Sequence, residues 1–219
     1  MYLDTANLSQ IEKALKMGVI KGVTTNPTIL LKEKTKREDQ IRAIDKLGVA
    51  IIYVQVLGLD YKSFKEDFLK IYELKKELRA DLGVKIPTTS DGLRLISEIK
   101  KDFPLVKVLA TAIYSADQGI LASIAGADLL APYVNRMENN NVDAMDAIGK
   151  MRTFIDDRGY DTQILAASFK NTGQIVNALV AGAHTATIPY DLLVQMTDKD
   201  VVIKAVEVFN NDGNSLEIE

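Results

Sequence analysis

The chain has 219 residues, 47% of them apolar and 26% charged, with a formal net charge of -3. That profile predicts one soluble globular domain with a substantial core, and the slight acidity without any basic run disfavours nucleic acid as a partner. Zero cysteines exclude disulfides, thiolate nucleophiles and Cys-ligated zinc, and the single histidine, His184, leaves no multi-His metal site or His-based triad.

No charged region followed by an apolar one stands at Met1, so no secretion signal is expected, and the cysteine-free composition fits a cytoplasmic protein. Apolar runs then alternate with amphipathic stretches along the chain. The first strand is expected near Tyr2–Asp4, followed by a helix over Leu8–Met17 with Ile11 and Leu15 on one face. Gly22–Thr25 reads as the second strand and Lys36–Leu47 as a helix. The third strand, Ala50–Val56, lies within the longest apolar stretch, Val49 to Leu59, which Gln55 interrupts and which is too short to span a bilayer. A helix over Tyr61–Leu78, with Phe64, Phe68 and Ile71 on one stripe, leads to a fourth strand at Val84–Ile86 and a helix at Asp91–Lys101. Lys107–Thr111, Leu129–Ala131 and Gln163–Ala167 read as the next strands, with helices at Ala116–Ala125, Asp143–Asp157 and Gly173–Ala181. His184 opens the eighth strand, Thr185–Ile188, and is read as structural; a short helix at Leu192–Met196 follows.

Eight βα units predict an α/β protein: a single (β/α)8 TIM barrel covering residues 1–219 as one domain. Pro27, Pro87, Pro132 and Pro189 fall just after the second, fourth, sixth and eighth strands, where a missing N–H costs little. Gly18, Gly48, Gly126, Gly159 and Gly182 sit at helix ends, as left-handed caps do. No G-x-G-x-x-G follows the first strand, which disfavours a dinucleotide fold. Beyond the eighth unit, Val201, Val202, Ala205, Val208 and Phe209 form the apolar stripe of an extra C-terminal helix over Asp198–Phe209. It covers either its own barrel or a neighbouring subunit.

Lys85 stands where a lysine is costly, inside the apolar run Leu82-Gly83-Val84-Lys85-Ile86-Pro87. Alternation turns it to the opposite face from Val84 and Ile86. Desolvation there favours the neutral amine, a nucleophile; the bland alternative is a lysine that snorkels to water. Barrel active sites lie at the C-terminal ends of the strands. Those positions hold Asp4, Thr24 with Asn26, Gln55, Lys85, Thr111, Tyr133 with Arg136, and Ser168 with Lys170. Parity puts Asp4, Thr24, Gln55, Lys85 and Thr111 on inward faces. Lys107 is also inward by parity, but lies at the opposite end of its strand from Thr111.

A neutral amine in an apolar cavity condenses with a ketone to an iminium, an electron sink that permits C–C cleavage without metal or cofactor. Tyr133 is the best candidate acid/base, since no histidine or evident glutamate is at hand. Thr111, Gln55 and Asp4 suit a catalytic water, and Arg136 with Ser168 suits a phosphate.

Val23-Thr24-Thr25-Asn26-Pro27-Thr28 resembles the signature of the transaldolase family, and Val84-Lys85-Ile86-Pro87 resembles its Schiff-base lysine motif. Ala131-Pro132-Tyr133-Val134-Asn135-Arg136 and Ala166-Ala167-Ser168-Phe169-Lys170 are similar to further motifs, and the likeness runs from Leu3-Asp4-Thr5 to the final helix. The resemblance implies a (β/α)8 barrel, with Lys85 as the Schiff base and Tyr133 as acid/base. It also implies that Gln55, Thr111 and Asp4 hold the water, that Thr24 and Asn26 bind donor hydroxyls, and that Arg136 and Ser168 bind phosphate. Ala131 is expected at the substrate. Other transaldolases carry a glutamate on the third strand, and short ones often have phenylalanine where Tyr133 stands. Gln55 with Tyr133 therefore resembles the aldolase branch, which splits fructose 6-phosphate into dihydroxyacetone and glyceraldehyde 3-phosphate. A transaldolase passing the ketol unit to a second sugar, and a non-catalytic phosphate-binding barrel, are the alternatives. Short members resembling this chain are decamers of two pentameric rings whose last helix reaches onto a neighbour, so a homo-oligomer acting on a sugar phosphate, with no membrane partner, is expected.

Overall fold

A computed structural model describes residues 1–216 of the chain. The tail of the expected C-terminal segment, residues 217–219, lies outside the described residues. The elements run β1 (Tyr2–Asp4), α1 (Leu8–Lys16), β2 (Gly22–Thr24), α2 (Pro27–Lys32), α3 (Arg37–Asp45), β3 (Ile51–Gln55), α4 (Tyr61–Lys75), β4 (Asp81–Pro87) and α5 (Ser90–Asp102). They continue β5 (Val108–Ile113), α6 (Ala116–Ile124), β6 (Leu129–Pro132), α7 (Val134–Asn139), α8 (Ala144–Arg158), β7 (Gln163–Ala166), α9 (Thr172–Val180), β8 (Thr185–Ile188), α10 (Tyr190–Thr197) and α11 (Asp200–Leu216). The strands are all parallel and close in sequence order, β8 pairing with β1, which is the expected (β/α)8 barrel with its extra helix.

Every expected strand is present, displaced at its ends by at most a few residues, while two helices were not anticipated. Pro27 ends the β2 ladder and also opens α2, because its fixed φ suits the first helical position while Asn26 caps the turn by accepting from the Ile29 N–H at 3.0 Å. The helix is six residues long, too short for a periodic apolar pattern to announce it. The same holds for α7, which starts directly behind Tyr133. All five glycines expected at helix ends take positive φ, Gly159 among them at 67° as the left-handed cap of α8.

Two apolar layers sandwich the sheet. The outer one packs alternate strand residues such as Val23, Val84, Ile86 and Val108 against the helices. The inner one holds Tyr2, Tyr53, Leu109, Leu129, Ala131, Leu165 and Ala167, with Tyr133 packed on it. This inner plug fills the barrel and leaves polar groups only toward its ends. Gly83 is part of its design: a Cβ there would lie 2.3 Å from the Tyr53 ring, so the tyrosine occupies the place of a side chain. The layer above Gly83 belongs to Lys85.

The chain after α10 makes little of its own barrel. Among the described residues α11 has no buried residue, and Val201 (73% exposed) and Phe209 (70%) are largely open to solvent. Of the two placements open from sequence, packing on the chain's own barrel is therefore not the one adopted here. Among the described helices none is long and apolar enough to cross a membrane.

Candidate active site

Lys85 lies in β4 with its Cα in register with Gln55 on β3 and Leu109 on β5. Leu109 belongs to the inner plug, so Lys85 points into the barrel, as alternation requires. It is 4% exposed, and none of the ion pairs among the described residues engages it. Burial pushes its pKa below 10.5, with the Asp4 carboxylate opposing that shift. The result is an amine held toward its neutral, nucleophilic form.

Asp4 ends β1 opposite Thr24 on β2. The Thr24 hydroxyl donates to Asp4 Oδ1 at 2.7 Å and also lies 2.6 Å from the Thr187 hydroxyl of β8. Thr24 is fully buried, so its single proton is committed to Asp4 and none is left for a ligand. Asn26, two residues on, uses its Oδ1 to cap α2, and its amide nitrogen has no hydrogen-bond partner among the described residues.

On the other side of Lys85, Thr111 is fully buried and its hydroxyl lies 2.9 Å from the Tyr133 Oη. A bulge in β5 sets this pair: the register slips between Ala110 and Ile113, and Ala112 takes a left-handed φ of 57°. Burial raises the Tyr133 pKa above 10.0, Thr111 partly offsetting it, so the phenol keeps its proton at neutral pH. The Arg136 guanidinium sits 5.0 Å from the Tyr133 ring centroid and donates to the Tyr114 hydroxyl at 3.1 Å. Ser168, with φ of 63°, turns the chain at the end of β7, and its carbonyl accepts from the Asn135 N–H at 2.8 Å. That bond and the Val134 N–H to Ala167 carbonyl bond (2.9 Å) tie Ser168 and Arg136 to one corner of the rim. Ala131, 1% exposed, lies in the inner plug beneath Tyr133.

The expected residues thus fall into two hydrogen-bonded groups, Asp4 with Thr24 and Thr111 with Tyr133, flanking Lys85 and Gln55. Among the described residues no hydrogen bond joins Lys85 to Tyr133, Thr111 or Gln55. Lys170 is exposed and its backbone N–H donates to Gln174, so it contributes to the turn. His184 accepts at Nδ1 from the Ile164 N–H (2.9 Å), a structural role as expected. Lys107 precedes β5 and lies 3.3 Å from Asp128 at the far end of the barrel. Two residues escaped sequence reasoning. Thr187 was findable by carrying alternation into β8, whereas Tyr114 follows the β5 bulge, which destroys the parity that would have placed it.

The family model for transaldolase/fructose-6-phosphate aldolase matches residues 1–218. The chain belongs to this family. A probable fructose-6-phosphate aldolase of Streptococcus pneumoniae (strain ATCC 700669 / Spain 23F-1) is 39% identical to it over 218 residues, covering 96% of this chain and 94% of the relative. Family membership makes the protein an enzyme of the aldolase/transaldolase type in carbohydrate metabolism.

Proposed function

We propose that the protein is a class I aldolase that reversibly cleaves fructose 6-phosphate to dihydroxyacetone and glyceraldehyde 3-phosphate. The observation that carries this reading is the buried Lys85 beside Gln55, without an ion-pair partner among the described residues, with the hydrogen-bonded Thr111–Tyr133 pair on β5 and just after β6. Lys85 Nζ adds to the ketone of the open-chain sugar. Tyr133 gives its proton to the carbinolamine hydroxyl, which leaves as water, and the iminium forms. The phenolate then takes the proton of the aldol hydroxyl. The C–C bond breaks with its electron pair moving into the iminium, giving an enamine and free glyceraldehyde 3-phosphate. Reprotonation of the enamine carbon and attack of water restore Lys85 and release dihydroxyacetone. Gln55, Thr111 and Asp4 hold that water, Asn26 meets the donor hydroxyls and Arg136 with Ser168 takes the phosphate.

The choice of aldolase over transaldolase rests on Gln55. An amide orients water but exchanges no proton near neutral pH, so proton transfer falls to Tyr133 alone. Incubation with fructose 6-phosphate alone tests the reading. Free dihydroxyacetone supports the aldolase; turnover only with erythrose 4-phosphate makes the protein a transaldolase; no reaction leaves a phosphate-binding barrel. We further infer a cytoplasmic homo-oligomer, a decamer of two pentamers as in short relatives, with the exposed apolar face of α11 laid on a neighbouring subunit.

A further inference from the structure

Thr24 has one hydroxyl proton and donates it to Asp4 Oδ1 at 2.7 Å. The 2.6 Å contact between the Thr24 and Thr187 hydroxyls must then run the other way, with Thr187 donating and Thr24 accepting. Burial closes the alternatives: Thr24 is 0% and Thr187 1% exposed, so neither hydroxyl exchanges its partner for water. Among the described residues the Thr187 side chain has no other hydrogen-bond partner. The two bonds cross the seam of the barrel, because β8 pairs with β1 through Tyr2 and Thr187, while β1 pairs with β2 through Asp4 and Thr24. Two hydroxyls in series, each polarising the next, thus end on the carboxylate whose charge both Lys85 and Tyr133 feel.

We propose that Thr187 is a positioning residue of the Schiff-base site: by donating to Thr24 it fixes the direction of the Thr24 proton and so holds the Asp4 carboxylate in one orientation beside Lys85. It acts through Thr24 and Asp4, and not on the sugar. The inference rests on the aldolase reading above and adds to it a residue outside the ring of strand-end groups. Removing the Thr187 proton frees the Thr24 hydroxyl to turn, and Asp4 loses its fixed place next to the amine.

Thr187→Val keeps the shape and removes the donor. Its kcat on fructose 6-phosphate is expected to fall by about 10- to 100-fold, the loss typical of a misplaced active-site group, with KM and Tm little changed. Borohydride trapping of dihydroxyacetone on Lys85 should slow in parallel, and Thr187→Ser should restore most of the rate. Because the two threonines act in series, Thr24→Val with Thr187→Val should be no slower than Thr24→Val alone. Wild-type kcat in Thr187→Val, or strictly additive losses in the double variant, would overturn the proposal. If Thr187→Val does not fold, Thr187→Ala against Thr187→Ser decides, equal rates in the two overturning it. A wild-type protein that traps no donor on Lys85 removes the aldolase reading and this inference together. A working wild type beside an equally fast Thr187→Val removes this inference alone.

Discussion

Lys85 sets the energetics at the scale of the residue. Desolvation lowers its pKa from 10.5, so the folded chain binds fewer protons than the unfolded chain between the lowered value and 10.5. Stability therefore rises with pH through that window and is lost as pH falls through it, with no further change from this group below it. Lys85→Met fills the same space without the charge. It is expected to stop borohydride trapping altogether, to stabilise the fold at neutral pH by about 1 kcal/mol or more, roughly 2–4 °C in Tm, and to flatten the pH dependence of Tm. A Tm at or below wild type would show that the amine is not held at a cost. The same directions shape the rate: activity should be complete well below pH 10.5 and fall toward acid as Lys85 protonates, while the alkaline loss lies above pH 10.0, where Tyr133 ionises. Tyr133→Phe should lower kcat by about 10²–10⁴-fold, the usual worth of a general acid–base group, and abolish that alkaline limb. Gln55→Glu restores a carboxylate at little steric cost and should raise sugar-to-sugar transfer relative to released dihydroxyacetone, measured with and without erythrose 4-phosphate. An unchanged ratio would separate Gln55 from the choice of reaction.

Strands and turns decide whether those side chains meet. β4 carries its lysine at the right height because Gly83, two residues earlier, yields its place to the Tyr53 ring. Gly83→Ala should cost at least about 1–3 kcal/mol from overpacking, visible as a lower midpoint in urea, and slow turnover by tilting β4. Wild-type stability in Gly83→Ala would mean that Tyr53 yields freely and does not support the lysine. Alternation placed Asp4, Thr24, Gln55, Lys85 and Thr111 on inward faces from the sequence alone, since side-chain direction in a strand is a local property with period two. Tyr114 was not legible in that way. Its contact with Arg136 depends on the β5 bulge at Ala112, and a left-handed alanine has no sequence signature. The short helices α2 and α7 were likewise hidden, being six residues each, too short for an amphipathic stripe.

For the whole molecule, α11 is the open end of the design. Val201, Val202, Ile203, Val206, Val208 and Phe209 are each at least about half exposed on a helix that buries nothing against its own barrel. Such a face is stabilised by burial on another chain. Val202→Glu with Phe209→Glu should therefore give a smaller species by sedimentation, folded and with its barrel intact by circular dichroism. Unchanged mass would place the contacts between subunits elsewhere.

The sequence by itself determined the order of the strands and of the longer helices, the inward faces of five strand-end residues and the lysine standing at a costly position among them, because periodicity and the cost of a buried amine are local. Tertiary structure alone decided how those groups are tuned. Closing the barrel sets Thr187 against Thr24, 163 residues away in the chain, and the commitment of the Thr24 proton to Asp4 makes Thr187 the donor. Hydrogen-bond direction depends on what each partner has left to give, and no residue carries that information before its neighbours across the seam are in place.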